Sequence, residues 1–195
     1  IYELITMRMK QLRQEKYHGR MLVDKTLGYL HAAVNGLSTT ELLDVLAQDE
    51  EYWDLFTEKS HHQHKKRQIP VVLWARLHAD IDTYLTERKA DGSILHTIYH
   101  RVIAEWISDH ISTSNYHYEL SRYFSDQALY LDGETTGTDA IPNLRKLNEL
   151  VPQQIKAQVW NDLTGDTQKP SPLTDLSFTK AKCEAGLGYE LSIDY

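Results

Sequence analysis

Cysteine is almost absent: the 195 residues contain one, Cys183. An internal disulfide is therefore excluded, and a reducing, cytoplasmic compartment is the simplest expectation. No run of about 18 apolar residues occurs, which excludes a helical membrane span. The opening residues, IYELITMRMKQ, have neither an apolar h-region nor a small-residue cleavage site, so they do not read as a signal peptide. They also lack an initiator Met, and the expectation is a chain that starts inside a longer protein. Glycine is sparse, at positions 19, 28, 36, 92, 133, 137, 165, 186 and 188. None leads into Lys-Ser or Lys-Thr, so the phosphate cradle G-x-x-x-x-G-K-S/T is missing and the chain is not expected to be an enzyme. An excess of base is missing too: 21 Lys and Arg face 28 Asp and Glu, for a net charge of −7. Such a chain is a poor polyanion binder unless its bases gather on one face, and only Lys65 to Arg67 gather.

What is present is ordinary globular material, 41% apolar and 25% charged, ample for a core. Leu4, Ile5, Met9 and Leu12 recur at helical spacing within Tyr2 to Lys16, with Gly19 as a natural stop. Leu22, Val23, Leu27, Leu30 and Val34 mark a second helix that ends at Asn35-Gly36. Ser38 and Glu41 form a capping box ahead of Leu42, Leu43, Val45 and Leu46, which predicts a short third helix. Glu50 to Glu58 adds a turn or two around Tyr52, Trp53, Leu55 and Phe56. Lys59 to Gln68 has no apolar residue and reads as an exposed loop. Pro70 then opens a helix that aligns Val71, Trp74, Leu77, His78, Ile81 and Leu85.

Asp91-Gly92 is a hairpin signal between Thr86 to Lys89 and Ile94 to Tyr99. Three to four helices followed by a hairpin is the order of a winged helix. From Arg101 the chain reads as helical to its end. Arg101 to Ile111 comes first, then a helix capped by Ser114 or Asn115 and running through Leu129. A turn-rich stretch covers Leu131 to Pro142, and helices follow at Asn143 to Leu163, with Pro152 as a possible break, and at Asp175 to Leu191. The expected fold is mainly α, a winged helix and then an α-helical array. The expected divisions are 1–20 as a connection from an upstream domain, 21–112 as the winged helix and 113–195 as a helical connector.

GLSTTELLDVLAQDEEYW, Gly36 to Trp53, is similar to the winged-helix segment that follows the ATPase core in NACHT-type STAND ATPases, the group that includes the NOD-like receptors. IPVVLWARLHADIDTYL, Ile69 to Leu85, and the strand-to-helix junction at His100 continue it. NLRKLNEL, Asn143 to Leu150, and FTKAKCEAGLGYEL, Phe178 to Leu191, resemble the helical segment that leads into WD or TPR repeats. The resemblance implies a regulatory module of a signalling or defence switch. Its partners would be the parent's own ATPase core and a downstream repeat domain, with homo-oligomerisation of the parent on activation. ADP or ATP with Mg would belong to the parent, and no cofactor to this segment alone. In the family a histidine within a pattern like F-F-H-x-S-F-x-E-Y contacts the β-phosphate of ADP. Tyr99, His100, Ile103, Glu105 and Trp106 match that pattern, and Val102 stands where it has serine. His100 is thereby the candidate nucleotide-sensing residue. A histidine at a helix start places a donor beside free backbone N–H groups, a suitable end-on site for phosphate. His96, four residues earlier, falls on the same strand face and is the second candidate.

Other readings compete for the remaining residues. His61, His62 and His64 invite zinc, but a closed site needs about four ligands on a rigid frame, so they read as a solvated loop and no metal site is expected. Cys183 reads as a packed small side chain. Trp53, Trp74, Trp106 and Trp160 read as core or domain-interface residues. The rival function is a winged-helix DNA-binding regulator. Groove entry needs Lys, Arg, Asn or Gln on a reading helix. Thr39 to Gln48 carries acids and no Lys or Arg, and Pro70 to Arg88 sets Arg76 and Arg88 against Asp80, Asp82 and Glu87. Nucleic acid is therefore not the expected partner.

Overall fold

Ile5, Met9 and Leu12 recur at helical spacing, and in the computed structural model they are the buried face of α1, Tyr2–Leu12. The structure describes residues 1–60, 66–112, 114–131, 140–164 and 171–195. It divides the chain into two units, Ile1–Glu119 and Leu120–Tyr195. Helix α1 stops short of Lys16, because Arg13 to Lys16 is a polar run with nothing to bury. Gly19 is the N-cap of α2, Arg20–Ala32. That helix is buried on most of its circumference, through Leu22, Val23, Leu27, Tyr29 and Leu30, so it is the axis of the first unit. The capping box forms as the sequence predicts: Ser38 Oγ accepts from the Glu41 N–H at 3.2 Å and the Ser38 N–H reaches Glu41 Oε2 at 2.8 Å. It opens α3, Thr39–Gln48, and Asp49 then caps α4, Glu50–Lys59.

Pro70 precedes α5, Val71–Ile81, as its N-cap. The helix ends at Ile81 in a 3-10 turn, Asp82–Tyr84, and Leu85 already belongs to a strand. Strands β1, Leu85–Ala90, and β2, Ser93–Ile98, form an antiparallel hairpin. Asp91 and Gly92 have φ of 52° and 75°, the pair of positive values that a two-residue type I′ turn needs. A third strand position is the bridge between Leu37 and His96, with N–H···O bonds of 3.1 and 2.9 Å. It sits between α2 and α3, and it completes a winged helix. Gly36 makes the approach possible: its φ is 83°, and a Cβ there would lie 2.4 Å from the His96 carbonyl oxygen. Helix α6, Arg101–His110, closes the unit with Ile103, Trp106 and Ile107 inward.

A buried ion network ties α2 to the α3–α4 corner. Lys25 Nζ lies 2.8 Å from Asp49 Oδ2 and 2.7 Å from Glu51 Oε2. The Tyr29 hydroxyl donates to Asp49 at 2.5 Å, and the Tyr52 N–H donates to its other oxygen at 3.0 Å.

Helix α7, Ser114–Asp126, carries the chain into the second unit. There Leu120, Phe124, Leu147, Leu150, Val151, Phe178 and Ala181 are buried. Asn143 caps α8, Leu144–Lys156, which continues straight through Pro152. The break comes later, where Gln158 takes a φ of 58°, and α9 is the short Trp160–Thr164. The last expected helix is likewise two, α10, Leu176–Glu184, and α11, Gly188–Asp194, parted at Gly186 with φ of 75°. Cys183 is exposed, since α10 turns Phe178, Ala181 and Lys182 inward instead. Trp160 is also exposed, at 53%, on the short α9. Among the described residues no helix is long and apolar enough to cross a membrane.

Candidate functional site

The α6 junction places His100. Ile98 ends β2, and His100 is the N-cap of α6, its carbonyl accepting from the Ile103 and Ala104 N–H groups at 2.9 and 3.2 Å. Its side chain makes no capping hydrogen bond. The ring stands edge-on to Tyr84 and Tyr99, with centroids 6.5 and 6.1 Å away. Nδ1 is buried without a hydrogen-bond partner. Tyr99 is 60% exposed and its hydroxyl donates to the Thr83 carbonyl at 3.2 Å. Glu105 faces Arg101 at 2.7 Å, one turn apart. Trp106 is fully buried, with Arg13 over one face at 4.5 Å and His110 stacked at 4.6 Å. Of the residues that match the family pattern, Ile103 and Trp106 therefore belong to the core, and Tyr99, His100 and Glu105 remain toward the surface.

His96 sits in a different environment. It is 6% exposed, its Nε2 is 3.2 Å from Thr39 Oγ1, and Trp74 Nε1 donates to the same hydroxyl at 3.2 Å. Trp74, His78 and His96 form a triangle of rings with centroids 5.0 to 5.3 Å apart. Glu87, directly across the hairpin from His96, closes the group. Burial, and then the neighbouring His78, holds the His96 imidazole below its ordinary value, and Glu87 opposes them. Among the described residues no hydrogen bond or ring contact joins His96 to His100, although both were read onto one face. The hairpin register alone would have paired Glu87 with His96; His78 comes to them only through the packing of α5. His61, His62, His64 and Lys65 lie outside the described residues.

The surface of α5 bears on partner choice. Its exposed positions are Val71, Val72, Ala75, Arg76 and Ala79, and Val71 and Val72 are 58% and 56% exposed. Behind Val72 an apolar groove of about 430 Å³ runs between α2, α4 and α5, lined by Leu22, Leu55, Phe56 and Leu73. Arg67 is held by the Ala47 and Gln48 carbonyls at the end of α3 and lies over Trp53 at 5.4 Å.

Residues 1–117 match the family described as the NWD1-like winged helix-turn-helix domain. The chain is 37% identical over 98 residues to NACHT domain- and WD repeat-containing protein 1 of Homo sapiens, a match covering 50% of this chain and 6% of that protein. The mouse (Mus musculus) protein of the same name is 35% identical over 97 residues, 49% of this chain and 6% of its own. NACHT and WD repeat domain-containing protein 2 of Mus musculus is 39% identical over 74 residues, 38% of this chain and 4% of its own. The chain thus spans a small part of the relatives it matches. No solved structure matches it significantly.

Proposed function

Because the chain belongs to the NWD1-like winged helix-turn-helix family, and so is a NACHT-associated module, we propose that it is the regulatory winged helix of a nucleotide-switched STAND ATPase. It docks on the parent's ATPase core, stabilises the closed ADP state and relays the state of a downstream repeat domain. The observation that carries this reading is His100. The ring stands at the N-terminus of a ten-residue helix, Nδ1 is enclosed, and Nε2 can donate to a phosphate that the helix dipole also favours. The α5 surface supports a protein partner over a duplex. A helix that reads a groove presents base-contacting side chains; here the face is apolar with Arg76 as its one Lys or Arg, and Arg67 is already engaged.

The test is the nucleotide carried by the intact parent. It is purified as wild type and as His100→Ala, denatured, and its ADP and ATP are separated and quantified. Bound ADP in the wild type that falls sharply in the variant is the expected result. Equal ADP in both would remove His100 from the switch, and no nucleotide in either would remove the switch.

A further inference from the structure

Three side chains from separate elements converge under the hairpin. His78 comes from α5, Glu87 from β1 and His96 from β2. Their ligand atoms all lie within 4.8 Å of one another. Glu87 Oε1 is 3.6 Å from His96 Nδ1 and 4.0 Å from His78 Nε2. Both ring nitrogens are buried and have no hydrogen-bond partner, and His96 as a whole is 6% exposed. These separations are too long for hydrogen bonds, which fall near 2.7–3.2 Å for about all N–H···O pairs. They fit donors that share an ion: bonds of about 2.0–2.1 Å in a tetrahedron hold their donors roughly 3.4 Å apart. The Glu87 edges must close by no more than about 0.6 Å, within reach of a rotation of this half-exposed side chain. The edge between the two imidazoles must close by up to about 1.4 Å, which takes a shift of the partly exposed His78 ring.

We propose that His78, Glu87 and His96 bind a divalent transition metal of the zinc class. Two imidazoles and one carboxylate suit zinc and exclude magnesium or calcium, which take oxygen ligands. His96 ligates through Nδ1, and its Nε2–H then donates to Thr39 Oγ1, an outer partner that fixes the tautomer and the ring plane. Glu87 is the exposed member, at 55%, so the fourth position opens on its side and takes water or a group from a docking partner. The ion would staple both wing strands to α5. Through the Leu37–His96 bridge and Thr39 it would also fix the start of α3.

The experiment titrates Co²⁺ and then Zn²⁺ into the metal-free 195-residue chain, in wild type, Glu87→Gln, His78→Gln and a His61→Ala/His62→Ala/His64→Ala variant. One equivalent of Co²⁺ with the visible bands of a four- or five-coordinate site, displaced by Zn²⁺, is expected in wild type and in the triple variant. The bands should vanish in Glu87→Gln and His78→Gln, which change partly exposed side chains and leave the core intact. Long-range ¹H–¹⁵N spectra of the wild type supply a readout without mutation: His96 Nδ1 and His78 Nε2 should move to metal-bound shifts together. No binding, binding lost only in the triple variant, or shifts confined to other histidines would each overturn the proposal.

Discussion

Asp49→Ala should be the most damaging single substitution in the first unit. The carboxylate is 2% exposed and serves three donors: Lys25 Nζ at 2.8 Å, the Tyr29 hydroxyl at 2.5 Å and the Tyr52 N–H at 3.0 Å. Removing it strands a lysine that is 5% exposed, whose remaining partner, Glu51, is 67% exposed and largely in solvent. Breaking a buried pair from one side costs about 3–5 kcal/mol. Part of that is the lost helix cap, worth about 1 kcal/mol. With a urea slope of about 2 kcal/mol/M, the midpoint should fall by roughly 1.5–2.5 M. The assay is tryptophan fluorescence in a Trp160→Phe background, since Trp53, Trp74 and Trp106 all belong to the first unit. Asp49→Asn keeps an acceptor oxygen for the cap, while its NH2 replaces the oxygen that serves Tyr29 and Lys25, so it should recover about 1 kcal/mol of the loss and no more. A midpoint shift below about 0.3 M for Asp49→Ala would refute the reasoning, because it would mean that the pair is solvated and that α2 is not anchored through it.

Two further outcomes test the architecture. Gly36→Ala should cost about 2 kcal/mol or more, from its left-handed backbone and from the collision of the new methyl with the His96 carbonyl; a change in urea midpoint indistinguishable from wild type would remove the Leu37 bridge as a structural element. His18 and then Arg8 donate to Asp80, at 2.8 and 2.6 Å, and hold its carboxyl below the usual carboxylate range. That stabilisation is present above the unfolded value of about 3.9 and is lost as pH falls through the depressed folded value. The midpoint gap between wild type and Asp80→Asn should therefore be open at about pH 5 and should close toward about pH 3; a gap constant over that range would show that Asp80 is not paired in solution.

Much of the first unit was legible because its signals are local. The capping box at Ser38 and Glu41, the Asp91-Gly92 turn and the apolar spacing of α2, α5 and α6 each depend on a few neighbouring residues. The ends of elements were less legible. Whether Leu85 closes a helix or opens a strand depends on what it packs against, and Pro152 was read as a possible break that α8 does not make. The true stops, Gln158 and Gly186, take left-handed backbone conformations that a sequence permits at many more positions than a fold uses. Cys183 was misplaced for the same reason, and Trp160 is exposed and not in the core, because helical spacing does not say which stripe finds a partner.

His100 was identified by its place in a local pattern, and the structure puts it at the helix start that the pattern required. By itself, then, the sequence determined the order of elements, the missing phosphate cradle and the position of that histidine, all of which are written in short stretches of chain. Only the tertiary structure decided that Lys25 meets Asp49, that Leu37 supplies a third strand position, and that His78 joins Glu87 and His96. Those meetings span many residues of sequence. They arise because burying the apolar faces of α2, α3 and α5 together leaves few places for the polar groups carried inward with them, so those groups are brought to one another there.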